Sequence, residues 1–382
     1  MIMRKETILA IVLMGASLIF GLVMVEVAMV AFDIKPQRYP PARWFVLYNG
    51  VFEEWGLWGN GYAKQESRFA DVYQGGPNMG EYVPGATMKV VYATNPRGYF
   101  DPDNGVLAKI NTLGFRGPDV EEVKPPGTYR VLGLGDSFTF GEGVRDEDTF
   151  LRRLERSFNG KGHGPTKYEF LNTGVQGYNT RDEVLYFERL WLKLSPDAVL
   201  ISFYLNDAYS DTAFLNKGEG LGVYLNAPEG LFRMVRSLDY AQHAYRSYKV
   251  RQLLDEYYAK HYFVQAGQFF ASEESGDSDW RDCEAALKRA VELCRVNHLP
   301  IGLVIFPELH KLRHYPFTAI HAMVRQYAQS IGLPTLDLLD TYQGHDETAL
   351  WVHPTDHHPN ETGHAMAAQA IEPFLEQLMQ QR

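Results

Sequence analysis

Between Thr7 and Val25 no charged residue interrupts the chain, and beyond Glu26 the apolar run resumes as far as Phe32. A bilayer core needs roughly 20 apolar residues of helix to cross it. A cleaved signal has an apolar region of about 7–15 residues followed by a small-residue site. The run here is longer and no such site follows, so it reads as a retained span. Arg4 and Lys5 precede it, and the positive-inside rule then keeps the N-terminus cytoplasmic. The expected location is a single pass through the cell inner membrane, with everything after Phe32 on the extracytoplasmic face. Glu26 is the discordant residue. Near the outer end of a span it can reach the headgroups, where its cost falls. No cysteine lies nearby to carry a lipoprotein anchor.

Further along, the texture changes. Pro36, Pro40 and Pro41 mark a stiff stalk, and residues 45–125 show scattered Gly, Pro and Trp with no clean period. From Tyr129 short apolar runs alternate with helical spacing. The runs are 129–135, 168–172, 198–204, 300–306 and 334–338, and the helical stretches are 148–157, 180–194, 281–296, 318–331 and 361–378. Strands alternating with helices predict a mainly parallel sheet covered on both faces. Residues 227–280, rich in Tyr, Arg and Gln and closing on an acidic stretch, interrupt that rhythm and read as a helical insertion. The expected divisions are a cytoplasmic tip and anchor over 1–32, a stalk and loop-rich extension over 33–125, and one α/β domain over 126–382.

Composition narrows the partners. The net charge of −10 and the lack of a basic cluster exclude nucleic acid. The two cysteines, Cys283 and Cys294, fit neither a redox motif nor a zinc site. On a helix they stand about three turns apart, beyond disulfide reach, and read as buried thiols.

Chemistry concentrates at predicted strand ends, where open α/β sheets gather their ligands. GDSFTFG (135–141) sets Ser137 directly after a strand and before a helix. It is not the nucleophile elbow G-x-S-x-G, because Thr139 takes the final glycine position. It is not a dinucleotide fingerprint either, since Phe138 stands where a small residue belongs. NTGVQGYN (172–179) offers the backbone N–H of Gly177, with no side chain to block approach. FYLND (203–207) offers the amide of Asn206, a donor suited to an oxyanion. In HPTDHHPNETGH (353–364), Asp356 and His358 are two apart, so in extended backbone they point the same way. The carboxylate can then accept from Nδ1 and leave Nε2 free for a serine proton. His357 points to the opposite side, and His364 packs at the start of the last helix. The histidines of this segment lack metal-ligand spacing, so neither metal nor organic cofactor is expected.

These pieces, in this order, resemble the SGNH/GDSL hydrolase family. The resemblance runs from 129 to 364 and implies a flavodoxin-like three-layer α/β/α sandwich with a parallel central sheet. It implies a triad of Ser137, His358 and Asp356, with an oxyanion hole from the N–H groups of Ser137 and Gly177 and the Asn206 amide. One departure stands out: the commoner family spacing D-x-x-H would put the acid at Thr355. The segment NTLGFRG (111–117) also looks like membrane-anchored bacterial relatives, some of which serve O-acetylation or deacetylation of envelope polysaccharide.

The expected activity is hydrolysis of acyl esters, O-acetyl above all, through an acyl-serine. The partners implied are an acyl-ester substrate, such as an O-acetylated polysaccharide, and the membrane. An O-acyltransferase with the same triad, or a non-catalytic glycan-binding scaffold, would share these features.

Overall fold

The computed structural model describes residues 5–36, 42–48, 51–55, 73–74, 81–162, 167–208, 235–246, 248–249 and 278–380. The chain divides into two compact units, one formed by 1–38 with 217–260 and the other by 39–216 with 261–382.

In the first unit Lys5–Ala31 is one helix, and its stretch Val12–Ala31 is long and apolar enough to cross a membrane. Its apolar side chains, Leu18 and Phe20 among them, are exposed. Glu26 has a local role. Its two carboxylate oxygens accept the backbone N–H groups of Arg236 at 2.7 Å and Ser237 at 2.8 Å, which caps the helix 236–246. The Arg236 guanidinium in turn donates to Asp33 at 2.8 Å. This helix is the described part of the expected insertion. Residues 227–234, 247 and 250–277 lie outside the described residues.

The second unit opens with strands where loops were expected. β1 (Arg43–Tyr48), β2 (Val51–Trp55), β5 (Thr87–Val91) and β6 (Gly105–Lys109) form an antiparallel sheet in the order β2-β1-β5-β6. A short pair, β3 (Tyr73–Gln74) and β4 (Glu81–Tyr82), lies between them in sequence. RWFVLY is apolar at both parities, so it carries no two-residue period, and TMKVV is too short to establish one. Pairing across the sheet defines these strands instead, burying Trp44, Val46, Met88 and Val90.

The main sheet contains β7 (Thr128–Leu134), β8 (Lys167–Asn172), β9 (Ala198–Phe203), β10 (Ile301–Ile305) and β11 (Thr335–Asp337), all parallel, in the order β11-β10-β9-β7-β8. β9 and β10 are buried at every position, as strands covered on both faces must be. The helices Phe150–Gly160 and Glu361–Met379 pack together as one covering layer, and Thr180–Tyr186 with Ser278–Val296 as the other. Cys283 and Cys294 are buried free thiols on Ser278–Val296. The stretch expected as one helix over 180–194 changes pitch, passing through a π turn at Phe187–Trp191 and a 3₁₀ turn at Leu192–Leu194. The strand order reverses between β7 and β9. Ligand crevices form at the carboxyl ends of strands flanking such a reversal.

Candidate active site

β7 ends at Leu134, and the short helix Ser137–Phe140 begins three residues later. The Asp136 carboxylate caps that helix by accepting the Phe138 N–H at 2.8 Å. Its far end is held by two buried side chains. The Asn172 amide donates to the Thr139 carbonyl at 2.8 Å. The Arg116 guanidinium donates to the carbonyls of Phe140 at 2.7 Å, Gly141 at 2.5 Å and also Val144, and lies over the Phe140 ring. The segment 111–117 is thus a brace on the nucleophile turn. Gly174 presses against it from β8's side: a Cβ there would meet the Phe140 nitrogen at 2.3 Å.

His358 and Asp356 belong to β13 (Asp356–Pro359), paired antiparallel with β12 (Trp351–His353). Extended backbone turns both side chains to one face, as the one-residue spacing requires. Asp356 Oδ1 accepts the His358 Nδ1–H at 2.5 Å and its backbone N–H at 3.1 Å. With Nδ1 donating to the carboxylate, Nε2 of the neutral imidazole is the acceptor, and it lies 2.8 Å from Ser137 Oγ. The commoner acid position holds Thr355, whose hydroxyl is 2.8 Å from His353 Nδ1. His357 faces away and stacks on Trp351, ring centres 3.9 Å apart. His364 is buried and accepts the Phe150 N–H at 3.3 Å.

Gly177 follows β8 in a turn with φ 77°, a left-handed conformation that favours glycine. Asn206 falls in the 3₁₀ turn Leu205–Ala208 just past β9; its side chain lies outside the described residues. Its neighbour Asp207 is buried and accepts the Tyr204 N–H at 2.6 Å.

Burial and charge act together on the titrating groups. Burial alone would raise Asp356, but the His358 charge and hydrogen bonds outweigh it and hold the carboxyl at about 2. Burial alone would lower His358; Asp356 first and Glu142 second overcome this and raise it. Glu142 itself is pushed up to about 7 by burial, against the pull of His358. Behind the nucleophile turn, Glu183 and Asp207 are raised well above the carboxylate range, first by burial and then by neighbouring acids, Asp136 among them. Glu142, Asp356 and His358 form the one group of donors, among the described residues, whose ligand atoms all lie within 4.8 Å of one another. Both His358 nitrogens are already engaged by Asp356 and Ser137, which fits a proton relay better than a cation.

Sequence reasoning passed over Glu142, Gln176, Tyr82 and Tyr92, all buried around this relay. Glu142 had a faint signal, an acid between two glycines five residues after Ser137. The tyrosines had none.

A serine bonded to a histidine that is bonded to a carboxylate, at the reversal point of a parallel sheet, is the arrangement of a serine hydrolase. Comparison with known families agrees. The GDSL-like lipase/acylhydrolase family model matches residues 134–366; the chain belongs to that family. No curated protein sequence matches it. Among solved structures it is similar to a two-domain esterase active on acetylated mannans, with 15% identity, TM-score 0.36 and coverage of 66% of this chain and 50% of that one. The chain therefore spans half the length of that relative. It is also similar to an acetyl xylan esterase, AlAXEase (16% identity, TM-score 0.39, 64% and 99% covered). A third is a catalytic mutant of the acetylxylan esterase Axe2 from Geobacillus stearothermophilus (14%, 0.40, 68% and 96%).

Proposed function

We propose that Ser137 is the nucleophile, His358 the general base and Asp356 the orienting acid of an esterase that removes O-acetyl groups from cell-envelope carbohydrate. The observation carrying this reading is the unbroken chain of contacts Ser137 Oγ–His358 Nε2 at 2.8 Å and His358 Nδ1–Asp356 Oδ1 at 2.5 Å.

His358 takes the Ser137 proton as the oxygen attacks the ester carbonyl. Negative charge then gathers on the former carbonyl oxygen, for which the family resemblance assigns the N–H groups of Ser137 and Gly177 and the Asn206 amide as donors. His358 returns its proton to the departing alcohol. Water, deprotonated by the same nitrogen, releases the acid from the acyl-serine. The chemistry calls for no metal or organic cofactor.

The finer reading rests on location and on one motif. Lys5–Ala31 is taken as a retained anchor, with its N-terminus cytoplasmic and the catalytic unit outside the inner membrane. The brace segment 111–117 resembles that of membrane-anchored relatives serving envelope O-acetylation and deacetylation. The domain boundaries follow: anchor over 1–32, extension over 33–125 and hydrolase over 126–382.

The test compares the full chain with its Ser137→Ala form, measuring p-nitrophenyl acetate hydrolysis and labelling by a fluorophosphonate. Both signals vanish in the alanine form if Ser137 is the nucleophile. Labelling that persists there removes Ser137 from the role. Acetate release from an O-acetylated polysaccharide, lost in the same variant, then tests the substrate class.

A further inference from the structure

The family-matched region begins at 134, yet two tyrosines far upstream of it reach into the relay. Tyr92, buried just past β5, donates its hydroxyl to Asp356 Oδ2 at 2.6 Å. Oδ1 of the same carboxylate faces His358, so both oxygens are spoken for and the group cannot rotate without losing a bond. The Tyr92 ring is itself clamped between Phe100 and His353. Burial pushes the Tyr92 phenol well up, which keeps it a donor.

A second chain approaches the other side of the imidazole. Tyr82, in β4, donates to Gln176 Oε1 at 2.8 Å. Its oxygen accepts the Gln176 backbone N–H at 3.3 Å, which leaves the hydroxyl hydrogen for the amide oxygen. The amide nitrogen of Gln176 is thereby turned to Glu142, 3.0 Å from Oε2. That same Oε2 stands 3.9 Å from His358 Nε2, the nitrogen that faces Ser137.

We infer that residues 81–92 complete the catalytic relay, Tyr92 fixing Asp356 on one side of His358 and Tyr82, through Gln176, fixing a second acid, Glu142, on the other. The inference rests on the reading of Ser137, His358 and Asp356 as the triad. When the Ser137 O–H bond breaks and the proton joins Nε2, the imidazolium is flanked by two carboxyl groups instead of one. Glu142 contributes charge beside the reacting nitrogen; Tyr92, Tyr82 and Gln176 are positioning residues. The ionisable groups around His358 are Asp356, Glu142, Asp136 and Glu308, with His357 and His364 as its basic neighbours. Asp136 belongs to the nucleophile turn and Glu308 is bonded to Tyr204, so Glu142 is the acid whose neutralisation leaves the rest of the relay in place.

The experiment uses the full chain with labelled histidine, in wild-type, Glu142→Gln, Tyr92→Phe and Ser137→Ala forms. His358 is titrated by NMR, and kcat/KM for p-nitrophenyl acetate is followed against pH. Glu142→Gln is expected to lower the His358 midpoint by about one pH unit, since a unit charge about 4 Å away is worth that much or more. The acid limb of kcat/KM moves down with it while the plateau falls. Damaged folding lowers the plateau without moving the limb. Tyr92→Phe is expected to lower kcat about tenfold with KM unchanged, the mark of an effect on the transition state. A His358 midpoint unmoved by Glu142→Gln overturns the role of Glu142, and it can be read in resting protein without any turnover. Wild-type kcat in Tyr92→Phe overturns the upstream contribution. If Ser137→Ala stays active, the triad reading fails; if it is dead while the other two behave as wild type, the relay inference alone falls.

Discussion

Glu183 is buried, and among the described residues neither of its carboxyl oxygens has a hydrogen-bond partner. Burial first, and then the acids Asp136 and Asp182 beside it, raise its pKa well above the ordinary carboxylate range. An acid whose pKa rises on folding contributes stability below its unfolded pKa and loses it as pH climbs through the folded one. Glu183→Gln keeps the neutral shape and removes that loss. The variant's Tm should therefore gain on wild type as pH is raised from 5 to 9, and a constant difference across that range would contradict a protonated Glu183. The raised pKa of His358 has its consequence in activity. The imidazole must be neutral to accept the serine proton, and Asp356 and Glu142 raise its pKa above the ordinary 6.5. The acid limb of kcat/KM should lie above that value, and a limb below it would contradict the electrostatics. Asn206→Ala should lower kcat by two to three orders of magnitude, since one oxyanion donor is worth about 2.7–4 kcal/mol. Wild-type turnover would remove Asn206 from the hole.

The nucleophile turn is held by elements distant in sequence. Arg116 closes the carbonyls of Phe140, Gly141 and Val144. Arg116→Ala removes a charged donor from three carbonyls; Phe140 keeps the Asn172 amide and Gly141 the Val144 N–H, while the Val144 carbonyl loses its guanidinium at about 1 kcal/mol or more. The variant's Tm should drop by several degrees, with fluorophosphonate labelling slowed at temperatures where the protein stays folded; an unchanged Tm would dismiss the brace. Gly174→Ala tests the same turn from β8, because its methyl has backbone in front of it rather than a side chain that can swing away. Ser137 is then displaced relative to His358, and kcat should fall more than KM rises. The motif 111–117 was visible as a motif, but its purpose was not. The partners of Arg116 lie some two dozen residues on, and no spacing rule links a guanidinium to carbonyls across a turn.

The anchor reading makes a prediction for the entire chain. Expressed in a bacterial host, the full-length protein should stay with membranes through alkaline carbonate extraction, and release by carbonate would argue against a retained span. The parallel sheet and the positions of Ser137, Gly177, Asn206, Asp356 and His358 at strand ends or in the closing segment were legible beforehand. Each depends on local rules: strands buried on both faces are continuous apolar runs, and residues two apart in extended chain share a face. The antiparallel sheet of β1, β2, β5 and β6 was not legible, because its strands are short or apolar at both parities and pairing alone defines them. Nor did the primary structure disclose that Tyr92 meets Asp356 across 264 residues, or that Glu142 and Gln176 share a hydrogen bond. A periodicity reports which face of an element is buried. Which groups meet on that buried face depends on how strands far apart in the chain come to lie side by side, and that is settled when the core packs.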